Sequence, residues 1–200
     1  MSPELDLSAF QQTLGRFPCG VTVVTTRIGA EDHAITASAF SSVSLDPPLV
    51  LVCVDRKNRF HDPVLASGEW AVSVLAESGQ NAATWFATRG RPLAGQLDKV
   101  DHRRGALTGA GLVREALAWL ECRTWQVHDG GDHSILVGEV LDAQINAERD
   151  NPLLYYRSHY GALLHSAASE KSSLVLRESI ADDAVAYPGL PSTSEEAPSA

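Results

Sequence analysis

The sequence predicts a mainly β fold, a closed or nearly closed antiparallel barrel of Greek-key-like type, on three observations. Short segments rich in Val, Ile and Thr alternate along the chain, at GVTVVTT (20–26), HAITAS (33–38) and EWAVSVL (69–75). Asp129-Gly130-Gly131-Asp132 separates two long β-rich runs, LAWLECRTWQVHD and HSILVGEVLDAQI, as a tight hairpin turn would. Helical spacing is confined to short stretches, and strands joined by short turns suit a barrel better than a βαβ fold.

The elements follow in order. Phe10, Thr13, Leu14 and Phe17 recur at helical spacing behind a cap at Asp6 or Ser8, predicting a short amphipathic helix over 7–17 that ends at Pro18. GVTVVTT and HAITAS form a hairpin about the turn GAED. After AFSSVSLD the Pro47-Pro48 pair stops pairing, and PLVLVCVD reads as a continuous apolar strand, central and buried on both faces. Residues 61–68 have room for one helical turn, EWAVSVL is a strand, and SGQNAATWFAT is a helix with Ala82, Trp85 and Phe86 on one face. A long polar loop runs from Arg89 to about Gly109. The two runs about Asp-Gly-Gly-Asp then complete about seven strands.

Length and composition bound the rest. A chain of 200 residues, 44% hydrophobic and 20% charged, suits one domain. No apolar run approaches the roughly 20 residues that span a bilayer, and MSPELDLSAFQQ lacks the basic start and apolar stretch of a secretory signal, so a cytoplasmic, membrane-free protein is expected. Cys19, Cys53 and Cys122 are odd in number and far apart, read as small core residues rather than disulfide or zinc partners. A net charge of −9 argues against nucleic acid, so an anionic ligand needs a local basic pocket. Arg56, Lys57 and Arg59 form one candidate, Arg89 and Arg91 another. Beyond about His165 the residues turn small, polar and acidic, dividing the chain into a folded domain, 1–165, and a disordered acidic tail, 166–200. Within that tail SLVLRESIADDAV has the pattern of a transient amphipathic helix or docking segment.

The chain has no G-x-G-x-x-G after a strand, no G-x-x-x-x-G-K-[ST], no G-x-S-x-G and no H-E-x-x-H, so a nucleotide would be bound without a Rossmann unit. Residues 36–44, TASAFSSVS, are dense in hydroxyls and small side chains where a strand leaves the sheet. Such residues decorate turns, and they also let a planar ring lie against backbone N–H and C=O groups. His128, Asp129, Asp132 and His133 look like a metal cluster, yet side chains flanking a tight hairpin need not converge, and no metal site is expected.

Taken in order, F-x-x-G-V-T-V-V-T, T-A-S-A-F-S-S-V-S-L-D-P-P-L-V-L-V, the basic loop around Asn58, A-x-x-F-A, L-E-C, G-D-H, G-x-V and P-L-L-Y-Y resemble the flavin reductase family of two-component monooxygenases, from about Phe10 to Leu164. The resemblance implies an FMN-binding split barrel, a homodimer, and NAD(P)H-dependent reduction of free flavin for a partner flavin-dependent monooxygenase. It implies flavin contacts at Thr36, Ala37, Ser38 and Ala39, where relatives often carry Ser or Thr at the last position. Asp55, Asn58, Arg59 and Arg91 would lie about the ribityl phosphate, and Phe86 and Ala87 beside the ring. His133 and Tyr160 would face the nicotinamide nucleotide; Arg16, at the end of the opening helix, either reaches that anionic cofactor or simply favours the helix C-terminus. No acid, base or nucleophile is required, because the cofactors carry the chemistry. FMN against FAD stays open, as does NADH against NADPH, with NADH preferred because no site for the extra phosphate stands out. Two other readings remain: an oxygenase or oxidase on the same fold that retains its flavin, and a non-catalytic flavin-binding module.

Overall fold

In the computed structural model, which describes residues 5–148, 151–165 and 174–178, the alternating segments pair into antiparallel strands. The order is α1 (Leu7–Leu14), β1 (Cys19–Gly20), β2 (Thr22–Ile28), β3 (Glu31–Ala37), β4 (Phe40–Leu45), β5 (Pro48–Asp55), α2 (His61–Ser67) and β6 (Glu69–Leu75). Then come α3 (Gln80–Ala87), β7 (His102–Arg104), β8 (Gly111–Val113), β9 (Ala116–Gly130), β10 (His133–Ile145), β11 (Leu153–Tyr156), β12 (His159–His165) and β13 (Leu174–Glu178). One sheet has seven strands in the order β3-β2-β6-β9-β10-β5-β4; a second has four, β1-β11-β12-β13, and β7 pairs with β8.

Like β6, strand β2 is buried on both faces. Its Thr22, Thr25 and Thr26 are buried, and their hydroxyls donate to the carbonyls of Ala37 (2.7 Å), Gly111 (2.7 Å) and Glu69 (2.6 Å). Those bonds make polar side chains tolerable in the interior. Two apolar clusters flank this strand. One, under α3, contains Val21, Val23, Ala83, Phe86, Leu97 and Tyr160; the other, against α2, contains Val24, Val52, Phe60, Trp70 and Leu136.

Several expectations are corrected. The Pro-Pro pair does not stop pairing: Asp46 and Pro47 make the turn through a cis peptide, and Leu45 pairs with Pro48 as β4 returns into β5. Proline is tolerated at the first residue of a strand, where no ladder N–H is missed. Strand β5 lies second from the edge, with Val50, Val52 and Val54 buried while Leu49, Leu51 and Cys53 are partly exposed. Its outer apolar residues simply lack a covering layer among the described residues. The polar loop after Arg89 is partly structured: Gln96, Leu97 and Val100 are buried, and β7 lies within it. The opening helix stops at Leu14, three residues early. Leu174–Glu178 is a strand on the edge of β12, not a helix. The rest of the expected tail lies outside the described residues.

Candidate functional site

At the end of β3 the chain turns outward through Ser38 and Ala39, and a small cavity of about 130 Å³ opens beside it. Thr36, Ala37, Ser38 and Ala39 form one wall, Val21, Ile35 and Cys53 line it further, and Tyr155 and Tyr160 close it from the second sheet. The backbone here is held tightly. The Ala37 carbonyl accepts from Thr22 Oγ1, and the Ala39 carbonyl accepts from the Cys53 N–H at 3.1 Å. The Thr36 hydroxyl donates to the Ala83 carbonyl at 2.6 Å, tying β3 to α3. Its proton is therefore spent on the fold, leaving an oxygen that accepts. Small residues expose backbone to this cavity, a geometry suited to a flat aromatic ring.

A wider groove of about 530 Å³ adjoins the cavity, and the two share Ile35, Asp55, Asn58, Ala87 and His133. Its walls carry Lys57, Arg59, Arg89 and Arg91 against the carboxylates Asp55 and Asp132. A locally cationic groove in a chain of net charge −9 is where an anionic ligand concentrates. Asp55 is occupied in building the loop, its Oδ1 accepting from the Lys57 N–H at 2.8 Å and its carbonyl from the Asn58 N–H at 2.9 Å. Asn58 Oδ1 accepts from the Phe60 N–H at 2.9 Å, at the start of α2. The Asn58 side-chain NH2 is left as its donor for a ligand.

Arg91 differs from expectation. Its Nη1 donates to the Phe86 carbonyl (2.8 Å) and the Thr88 carbonyl (3.1 Å), and its Nη2 to the Ala34 carbonyl and Gln96 Oε1. Its guanidinium is thus mostly consumed as a clip between α3, β3 and the following loop. Burial, then the neighbouring Arg59, lowers its pKa to about 10, so it stays charged at neutral pH. Its buried Nε has no partner. Arg59, by contrast, is exposed and bonds through Nη2 to the Arg91 carbonyl at 2.7 Å.

The other expected residues divide. Ala87 lines both hollows, whereas Phe86, 1% exposed, lines only the wider groove and otherwise belongs to the core. His133 sits at the start of β10 opposite Asp55, lines both hollows, and bonds Asp132 Oδ1 through Nδ1 at 2.7 Å. That bond holds the Asp132 carboxyl below its usual range. Tyr160 stands edge-on to Tyr155 with centroids 5.3 Å apart, and burial pushes its phenol up to about 12. Arg16 is not brought to the site: it is exposed just after α1 and lines neither hollow. Asp129 pairs with Arg56 at 3.0 Å, and among the described residues no three His, Cys, Asp or Glu side chains converge.

Sequence reasoning missed Val21, Ile35, Cys53 and Gln96. Period-two spacing carried the signal for one of them, since Cys53 and Asp55 share a face of β5. Gln96 carried none: it is 3% exposed, accepts from the Ala34 N–H at 3.2 Å, and comes from a loop without periodicity.

The apolar cavity and the adjoining cationic groove together fit an aromatic ring bearing a phosphate. Comparison with known proteins agrees. The model of the flavin reductase like domain matches residues 14–164. The chain is 44% identical over 139 residues to the NADH-dependent FAD reductase of Streptomyces globisporus, spanning 69% of this chain and 76% of the relative. It is 37% identical over 156 residues to the reductase component of the 4-hydroxyphenylacetate 3-monooxygenase of Thermus thermophilus, spanning 78% and 96%. Among solved structures, the flavin reductase component of a bacterial two-component tryptophan halogenase superposes with a TM-score of 0.74 at 44% identity, covering 78% of this chain and 98% of that one.

Proposed function

The chain belongs to the flavin reductase family, and from that premise we propose that it reduces free flavin with NADH and releases the product to a separate flavin-dependent monooxygenase. The observation that carries this is the junction of an aromatic-sized cavity with a cationic groove, sharing Asn58, Ala87 and His133. When both are bound, the reduced nicotinamide supplies a hydride to the flavin ring. The protein's part is orientation, bringing the reacting atoms within about 3 to 3.5 Å.

Ala37, Ser38 and Ala39 present backbone to the polar edge of the ring, and Ala87 allows close approach. Asn58 and Arg59 meet the ribityl phosphate with charge-assisted bonds. His133 and the Tyr155–Tyr160 pair border the nicotinamide face. Because His133 is anchored by Asp132 through Nδ1, its Nε2 is the nitrogen turned toward a ligand. No helix among the described residues is long and apolar enough to cross a membrane; the cytoplasm, which supplies NADH, is the compartment this role requires. The working unit is a homodimer, supported by apolar residues that one copy leaves exposed.

Anaerobic oxidation of NADH by the purified protein, with riboflavin, FMN or FAD in excess, tests the reading. Many turnovers dependent on added flavin are expected. Flavin that co-purifies stoichiometrically and turns over once would mean a flavin-retaining enzyme. Binding without any NADH oxidation would reduce the chain to a binding module.

A further inference from the structure

We propose that Arg91 is a positioning residue for flavin phosphate recognition, acting through Arg59 rather than touching the phosphate itself. The inference rests on the flavin reductase reading and deepens it at one residue.

Four acceptors on three segments fix the Arg91 side chain: the carbonyls of Phe86 and Thr88 at the end of α3, that of Ala34 on β3, and Gln96 Oε1. A side chain so held fixes its own backbone, and the Arg91 carbonyl is where Arg59 Nη2 donates, at 2.7 Å. Arg59 is exposed and would otherwise sample many rotamers, losing that freedom on binding a ligand. Tethered by one nitrogen, it keeps Nε and Nη1 free, enough of the planar fork to meet two phosphate oxygens. Both arginines line the cationic groove, beside Asn58 and Lys57. Among the described residues neither has a carboxylate partner, so the field of both charges is left for a ligand.

A plain structural clip would need no charge. Neutral side chains satisfy backbone carbonyls, and burying a guanidinium without a counter-ion carries a desolvation cost. Placing that charge against a second one, in a groove wall, is explained when a phosphate completes the site.

The same chemistry could come from the pyrophosphate of the nicotinamide dinucleotide, so the test separates the two. Dissociation constants of FMN and riboflavin, from quenching of flavin fluorescence, are measured for the wild type, Arg59→Gln, Arg91→Lys and the double variant, alongside the KM for NADH and the melting temperature. The wild type should prefer FMN over riboflavin, and Arg59→Gln should abolish that preference. Arg91→Lys, which keeps the charge but cannot span the acceptors, should weaken FMN about three- to tenfold while leaving riboflavin unchanged. The double variant should be no worse than Arg59→Gln alone. Equal weakening of both flavins by Arg91→Lys would make the residue structural only, and additive losses would make it a direct ligand; either overturns the proposal. A raised KM for NADH with an unchanged FMN-to-riboflavin ratio would assign the arginines to the dinucleotide and overturn it too. Arg59 is exposed, so its variant folds even if Arg91→Lys does not, and retention of phosphate preference in Arg59→Gln is decisive by itself. A wild type that binds no flavin refutes the functional reading instead, which keeps the two failures apart.

Discussion

Glu121 shows how a buried charge is made stable without a counter-ion. It is 1% exposed on β9 and accepts from the N–H groups of Ala106, Leu107 and Thr108 and from the Thr108 hydroxyl, all at 2.8 to 3.0 Å. The carboxylate thereby moors the turn before β8 to the main sheet. Glu121→Gln places an NH2 among donors, and should lower unfolding stability by about 2 to 4 kcal/mol in urea titration. A loss under half a kilocalorie would mean that the turn relaxes around the change. Cys122 and Tyr160 set the alkaline limit. Burial, and for Cys122 the adjacent Glu121, raises each folded pKa to about 12, from ordinary values of 9.0 and 10.0. Folding therefore retains protons that the unfolded chain releases. Their contribution is complete below about pH 9 and is lost as pH rises toward 12. Stability should fall over that window, and Tyr160→Phe should flatten the fall; tyrosinate absorbance tracking unfolding, rather than preceding it, is the check. At this scale the sequence identified Thr36 through Ala39, Asn58, Arg59, Ala87 and His133 as neighbours, because they sit in ordered short motifs. Arg91 and Phe86 also line the groove, but the bonds of Arg91 to β3 and the burial of the Phe86 ring depend on contacts that no local pattern encodes.

Element by element, the β9–β10 hairpin was the most legible part, because Gly131 adopts φ +77°, where an L side chain is strained. The next glycine on β10 has a different purpose. Gly138 faces the ring of Trp70 on β6, which is 0% exposed and donates through Nε1 to Thr124 Oγ1 at 3.2 Å. A Cβ at Gly138 would meet the Trp70 ring, and the β9–β10 register shifts between Val137 and Gly138. This gives the G-x-V block of the sequence a packing cause. Gly138→Ala should cost about 1 to 3 kcal/mol by overpacking, measurable as a lower thermal midpoint with blue-shifted or broadened tryptophan emission. An unchanged midpoint would show that Trp70 can swing aside. The elements that escaped sequence reading are those built by distant partners. The segment after Arg89 looks polar, yet Leu97 packs under α3 and Gln96 serves β3. Leu174–Glu178 joins β12 at an edge that nothing in its own composition announces.

For the molecule as a whole, the unsolved problem in a single copy is α1. Asp6 caps it, its Oδ1 accepting from the Ser8 N–H at 2.9 Å, but none of its eight residues is buried. A helix this short is marginal in water unless packing supports it. Phe10 is 45% exposed and Leu14 52%, while Phe17 beyond the helix is 73% exposed. On the sheet, Leu45 and Ile145 are exposed as well. Apolar surface of this extent marks an interaction face, and the homodimer proposed above would cover it. Sedimentation equilibrium at micromolar concentration should therefore find twice the 21.4 kDa chain mass. Phe10→Asp combined with Leu14→Asp should shift it toward monomer without altering the β-sheet signature in circular dichroism, since neither side chain belongs to the core. A wild type that sediments as a monomer would refute the dimer. A dimer that survives both substitutions would instead move the interface away from α1, to the sheet surface around Leu45 and Ile145.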